Sequence, residues 1–131
     1  MTEFHRVHSG ELPIIRSPLS HATRVGDLLF VSGMPPYYEE RTFVPDDFEA
    51  QFKQVMKNLT AVLEAGGSSI DRVIKTTVIL TKRDQFEPMN RLYREHFVAP
   101  YPSRTTLVTD LGIDGMMLEI ECVAHCTEAA Q

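Results

Sequence analysis

The sequence predicts an α+β fold, in which a mixed β-sheet carries two helices on one of its faces. Two stretches have apolar residues at every third or fourth position, the spacing of amphipathic helices. Other stretches are short and rich in Val, Ile and Thr, or alternate between apolar and polar residues, which indicates strands. Their order is strand, strand, helix, strand, helix, strand, strand, and we expect a single domain over residues 1–131.

The chain is predicted to begin with short strands. Residues 1–11 show neither a helix pattern nor a strand pattern. Residues 12–16 are compatible with a short strand, and the proline within them places that strand at an edge of the sheet rather than at its centre. Residues 21–25 and 28–32 predict a hairpin that turns at the Gly-Asp pair between them. Gly33 is expected to end the second of these strands, because two prolines soon follow it.

The first helix is predicted between Asp46 and the glycines at positions 66 and 67. Asp46 suits the N-cap, and Glu49 three residues later completes a capping box. The apolar stripe of this helix consists of Phe48, Phe52, Val55, Leu59, Val62 and Leu63. A strand over residues 72–80 follows, and it is predicted to present Ile74, Thr76, Val78 and Leu80 on one face.

The second helix is predicted to begin near Asp84, with an apolar stripe that contains a polar residue. Its stripe is formed by Phe86, Met89, Tyr93 and Phe97. Asn90 falls within this stripe, and a buried amide there needs hydrogen-bond partners. Asn90 therefore either bonds to the backbone of a nearby loop or helps to hold a functional site.

Two strands near the end of the chain, residues 103–109 and 116–124, are predicted on either side of a turn at Asp114-Gly115. In the second strand, one face is core-like and consists of Leu118, Ile120, Cys122, Ala124 and Cys126; the other face consists of Glu119, Glu121, Val123 and His125. Arg104 lies on the first strand. These charges suit a solvated cross-strand ion pair, worth about 0.2–1 kcal/mol. They also suit a site in which a guanidinium binds a substrate carboxylate and a Glu handles a proton or a water.

Composition and charge narrow the range of functions. The net charge is −5 and the basic residues are scattered, which argues against a nucleic-acid partner. No apolar run has the length of a membrane span, and no signal peptide is visible, so we expect a cytoplasmic protein without a membrane partner. Cys122 and Cys126 would lie about 13 Å apart on one strand, beyond disulfide reach. We expect buried thiols rather than metal ligands there, because His125 points to the opposite face.

Several of these motifs together resemble the Rid family of reactive intermediate deaminases, the YjgF-like proteins. The resemblance extends from Ser17 onward and includes GDLLFVSG at 26–33, the AGG that ends the first helix, IKTTVIL at 74–80 and NRLYREHF at 90–97. Its most specific part is YPSRTTLV followed by LEIECVA. It implies a chorismate-mutase-like α+β fold. It also implies a homotrimer whose sheets face one another, with a site in each cleft between subunits, and the sheet face left uncovered by the two helices agrees with association of copies.

The resemblance further implies hydrolysis of the enamines and imines of 2-amino acids to a 2-keto acid and ammonia, with no metal or cofactor. On the matching motifs, Arg104 corresponds to the arginine that binds the substrate carboxylate, and Glu119 to the glutamate that positions or activates water. Gly33 corresponds to a glycine whose backbone lines the pocket, and Asn90 to a helix asparagine near the site. Glu121 is expected to form a solvent-exposed or inter-subunit salt bridge instead.

Two substrate-binding positions depart from the family pattern. Leu19 stands where many of the deaminases have Tyr, and Thr106 stands where they often have Cys. Three functions therefore remain open: a deaminase of small imines, a deaminase of a larger amine for which Leu19 gives apolar room, and a non-catalytic module that binds a small carboxylate metabolite near Arg104. Glu119 argues against the last, since carboxylate binding has no use for a second negative charge.

Overall fold

The computed structural model describes residues 3–14 and 16–127. Its strands are β1 (Phe4–Val7), β2 (Ala22–Val25), β3 (Leu28–Met34), β4 (Val73–Leu80), β5 (Ser103–Val108) and β6 (Leu118–His125). They form one six-stranded mixed sheet in the order β1-β2-β3-β6-β4-β5. Two helices, α1 (Phe48–Ala65) and α2 (Phe86–His96), enclose the apolar core against one face of the sheet. The predicted α+β class, with two helices on one face, is confirmed.

The first edge of the sheet differs from the prediction. The hairpin of β2 and β3 is present and turns at Gly26, whose φ of +56° favours glycine. The edge strand beside it is β1, and the described residues of the predicted strand at 12–16 are not in a strand. Residue 15 lies outside the described residues. The sequence did not reveal β1 because only Val7 of its four residues is buried.

Helix α1 begins one residue later than predicted. Asp47, not Asp46, is the N-cap, and its Oδ1 accepts a hydrogen bond from the Ala50 backbone N–H at 3.0 Å. The side chain of Glu49 contacts Lys53 and Arg91, each at 3.1 Å. The predicted end is confirmed, because the Gly66 N–H bonds to the last carbonyls of the helix. The predicted stripe is buried, apart from a partly exposed first residue.

Strand β4 lies near the centre of the sheet and contains a bulge. Thr76, Val78 and Leu80 are fully buried, as predicted. Ile74 was predicted to share their face but is 48% exposed, because the pairing of β4 with β6 shifts between Val73 and Lys75. The extra residue turns Ile74 outward, and Val73 takes the buried position.

Strands β5 and β6 are not neighbours, although the loop between them contains the predicted turn, with Gly115 at φ +85°. Strand β4 lies between them. It runs parallel to β5, with Thr76 opposite Arg104, and antiparallel to β6, with Ile79 opposite Glu119. An ion pair across adjacent strands is therefore excluded for Arg104 and Glu119 within one chain.

The alternation predicted for β6 is confirmed. Leu118, Ile120, Cys122 and Ala124 are buried, whereas Glu121 and His125 are exposed. Cys122 and Cys126 are both buried and free, and burial raises the pKa of the Cys122 thiol to about 12. Both cysteines therefore belong to the core.

Candidate functional site

Glu119 lies half-buried on the sheet face that the helices leave open, against the backbone of Gly33. The pairing of β3 with β6 shifts between Val31 and Met34, and this bulge contains Gly33. A Cβ atom built on Gly33 would lie 2.7 Å from Cδ and 2.9 Å from Oε1 of Glu119. Any side chain at position 33 would therefore displace the carboxyl group.

The environment of Glu119 disfavours its charged form. Burial raises the pKa of Glu119 above its ordinary value, and the nearby charge of Glu121 raises the pKa further. In the described part of the chain, no cation forms an ion pair with Glu119. A carboxyl group with a raised pKa can accept a proton and return it at a pH closer to neutrality.

Glu119 and Gly33 line a cavity of about 190 Å³, which we call the Glu119 pocket. Its apolar lining includes Leu12, Pro13, Leu19, Met34, Pro35 and Tyr37. Asn58 also lines it, from helix α1, and its amide nitrogen donates to the carbonyls of Pro35 at 2.9 Å and Tyr37 at 2.8 Å. Asn58 was not predicted from the sequence, although its position three residues after Val55 and four before Val62 places it on the buried face of the helix.

Arg104 lies in a second cavity, of about 290 Å³, which we call the Arg104 pocket. It is lined by Asn90, Tyr93, Arg94, Tyr101, Pro102 and Arg104. The guanidinium carbon of Arg104 lies 5.0 Å from the centroid of the Tyr93 ring, and Nη1 lies 3.6 Å from the sulfur of Met89. The Tyr93 hydroxyl and the buried Thr76 hydroxyl form a 2.9 Å hydrogen bond. Packing on helix α2 thus orients the guanidinium.

Arg104 and Asn90 leave much of their hydrogen-bonding capacity unused in the described part of the chain. Within residues 3–14 and 16–127, Arg104 forms no ion pair, and the half-buried Asn90 side chain makes no hydrogen bond to a loop. Arg94, four residues after Asn90 and thus on the same helix face, adds a second cation that the sequence reasoning missed. Thr106 lies on β5 two residues after Arg104 and lines neither pocket.

The two pockets open on opposite sides of the sheet. Arg104 pairs with Thr76, which points towards the helices, whereas Glu119 pairs with Ile79 on the other face. Two strand spacings and three residue steps place the α-carbons of Arg104 and Glu119 roughly 14 Å apart. A substrate of a few atoms therefore cannot contact both side chains of one chain.

Neither a candidate metal site nor a membrane-spanning helix is present in the described part of the chain. Among the described residues, no three His, Cys, Asp or Glu side chains are grouped so that they could hold a metal ion. No helix of that part combines the length and apolar character needed to cross a bilayer. The cytoplasmic location expected from the sequence stays a prediction.

Comparison with known proteins gives consistent matches. The model of the family described as Endoribonuclease L-PSP matches residues 11–126. The RutC family protein y4sK of Sinorhizobium fredii is 36% identical over 92% of this chain and 97% of its own. Reactive Intermediate Deaminase A of Arabidopsis thaliana, a chloroplastic protein, is 35% identical over 90% of this chain and 64% of its own. The crystal structure of RidA from the Antarctic bacterium Psychrobacter sp. PAMC 21119 aligns with a TM-score of 0.84 and 30% identity, over 92% of this chain and 98% of that one. The chain therefore belongs to the Endoribonuclease L-PSP family, which includes the YjgF, RutC and Rid proteins.

Proposed function

We propose that this protein is a hydrolytic deaminase that converts 2-imino acids, and the enamines in equilibrium with them, to 2-keto acids and ammonia. Two observations carry the proposal: an oriented guanidinium without an ion-pair partner among the described residues, and a carboxyl group whose pKa is raised by burial. The first is suited to a substrate carboxylate and the second to proton transfer. Membership of the family, and a relative named as a deaminase, support this reaction class.

The site is completed by a second copy of the chain. Because Arg104 and Glu119 face opposite sides of the sheet, the Arg104 pocket of one copy meets the Glu119 pocket of its neighbour. The open sheet face supports this association, since Leu28, Phe30 and Leu107 are 37%, 46% and 48% exposed on it. A closed ring of three copies gives three equivalent clefts, so the assembly that we propose is a homotrimer.

In each cleft, Arg104 binds the substrate carboxylate through two parallel hydrogen bonds and thereby orients the C=N bond. Arg94 adds a second positive charge. Glu119 moves a proton from water to the imine nitrogen as the water oxygen bonds to carbon, which gives a carbinolamine. Glu119 then moves the hydroxyl proton to the amine nitrogen, so that ammonia leaves as the C=O bond forms. Such a positioned base contributes about 10²–10⁴-fold to a rate.

A subunit-mixing experiment tests both the reaction and the shared site. Imines are generated in situ by an amino-acid oxidase, and their loss is followed with and without the protein. Arg104→Ala and Glu119→Gln are each expected to lose the activity. When the two variants are unfolded together and refolded as an equal mixture, about one quarter of the wild-type activity should return, because half of the arginines and half of the glutamates are intact at random.

A matched mixture provides the control. Arg104→Ala combined with the double variant Arg104→Ala/Glu119→Gln contains no intact arginine and should recover nothing. Equal recovery in both mixtures would contradict the shared site. If the wild type hydrolyses no imine but binds 2-keto acids through Arg104, the protein is a carboxylate-binding module and the deaminase proposal fails.

A further inference from the structure

The Glu119 pocket has more room than the proposed reaction itself requires. In the proposed site, Arg104 binds the carboxylate of the substrate, and Glu119 transfers protons at the C=N bond. The remaining substituent on the imine carbon is the amino-acid side chain, which therefore extends into the cavity beside Glu119. The lining of that cavity then determines which side chains are accepted.

The lining consists of apolar groups held in place by the fold. Leu12 is partly buried and packs against the core, and Met34 is 1% exposed. Tyr37 stacks on Phe43, with ring centroids 6.0 Å apart, and its backbone carbonyl accepts the hydrogen bond from Asn58. These contacts hold this part of the lining in place, so it is formed before a ligand binds.

The charges that line the pocket are not arranged to receive a polar side chain. Arg16 forms an ion pair with Glu40, in which Nε of Arg16 lies 2.7 Å from Oε1 of Glu40. Arg41, which also lines the pocket, is exposed to solvent. Glu119 itself would repel an acidic group placed near it. The preferred occupant is therefore uncharged and apolar.

The volume indicates the size of that occupant. An apolar cavity of about 150 Å³ holds a molecule as large as benzene, and the Glu119 pocket measures about 190 Å³. A methyl group would leave most of this space unfilled. Each additional buried methylene improves affinity about fourfold, so a side chain of four or more carbons gains at least tenfold over methyl.

We infer that the Glu119 pocket selects 2-imino acids with branched aliphatic or aromatic side chains, and that Leu19 limits their size. This inference rests on the proposed deaminase function. Leu19 is the suitable position to change, because it lines the pocket and is 48% exposed, so its replacement does not disturb the core.

The test compares imines made in situ from alanine, leucine, phenylalanine and glutamate. The wild type should show a kcat/KM at least tenfold higher for the leucine and phenylalanine imines than for the alanine imine. Leu19→Trp fills the pocket and should lower the ratio of bulky to small substrate at least tenfold. Val98→Trp adds the same bulk at an 83% exposed position and should leave the ratio unchanged. Calorimetry provides a second measurement, in which 4-methyl-2-oxopentanoate binds more tightly than pyruvate.

The outcomes separate this inference from the proposed function. Hydrolysis of the alanine imine at a rate equal to or above that of the bulky imines, with the ratio unaffected by Leu19→Trp, overturns the inference and leaves the deaminase intact. A preference for the glutamate imine also overturns it and assigns the pocket to acidic side chains through Arg41. If no imine is hydrolysed and no 2-keto acid binds, the proposed function itself is wrong.

Discussion

The carboxyl group of Glu119 occupies the space that a side chain on Gly33 would fill, with only 2.7 Å between Cδ and the position of a Cβ. Gly33→Ala should therefore displace the carboxyl group while the sheet remains folded. Since a displacement of about 1 Å can cost 10²-fold in rate, we expect imine hydrolysis to fall about 100-fold. The measurement is kcat/KM, together with a circular dichroism spectrum to check the fold.

Gly10→Ala is the control for that substitution. A Cβ at Gly10 meets no atom within 4 Å, so this variant should keep the wild-type rate. Wild-type activity in Gly33→Ala as well would show that the position of the Glu119 carboxyl group does not matter.

The second prediction concerns the geometry of the guanidinium. Arg104→Lys retains the positive charge but loses the two parallel donors and the planar contact with Tyr93, 5.0 Å away. We expect kcat/KM to fall on the order of tenfold or more, mostly through KM. Arg91→Lys changes an arginine on the surface of α2 that contacts Glu49, and it should have no effect. Equal behaviour of the two variants would remove Arg104 from the site.

The third prediction is a pH dependence. Glu119 acts in its ionised form, so kcat/KM should decline as the pH falls through the pKa of Glu119. Within one chain, burial and then Glu121 raise this pKa, and Arg104 of the neighbouring copy opposes them in the proposed ring. Glu121→Gln removes the second cause and should move this decline to lower pH. A pH–rate profile with the same acid limb in both proteins would show that Glu121 does not act on the titrating group.

The fourth prediction concerns the wall of the Glu119 pocket. Asn58→Leu leaves the carbonyls of Pro35 and Tyr37 without their side-chain donor, which should lower the free energy of unfolding by about 2 kcal/mol. Urea denaturation measures the change. Thr60→Ala on the same helix removes only a hydroxyl bond to the Met56 carbonyl and should cost less than about 0.5 kcal/mol. Equal costs for both would show that the loop is held by other contacts.

The fifth prediction tests the assembly. Phe30→Asp places a charge on the open sheet face, where it would be buried between copies, so the variant should be monomeric and inactive at micromolar concentration. Light scattering coupled to size-exclusion chromatography gives the mass. Val98→Asp, at an 83% exposed position outside this face, should remain trimeric. A trimeric Phe30→Asp would place the interface elsewhere.

Much of the fold was predictable because it depends on local patterns. The hairpin needed only a Gly-Asp turn followed by a strongly apolar stretch, and the alternation in β6 was read correctly from one residue to the next. The bulge beside Ile74 was not predictable, since the register of β4 is set by its partner strand. The cap of α1 was missed by one residue because Asp46 and Asp47 are adjacent and either suits the position.

The candidate site, like the fold, was predictable only where it depends on local sequence patterns. Arg104 and Glu119 stood out as charges on strands, but their placement on opposite faces depends on β4, which the chain inserts between β5 and β6. The local pattern of β5 and β6 alone does not show that another strand lies between them. The direction of the pKa shift of Glu119 within one chain was equally hidden, because only the strand order shows that Arg104 of the same chain lies too far away to oppose burial.

The separation of Arg104 from Glu119 has a genetic consequence. In the proposed ring, every subunit contributes Arg104 to the cleft with one neighbour and Glu119 to the cleft with the other. A polypeptide defective in both residues therefore disables two clefts of any ring that it enters, so that an equal mixture with the wild type keeps only about one quarter of the clefts intact. Two paralogues that each retained a single half could still work as a mixed ring, so that after gene duplication selection would act on the pair of genes.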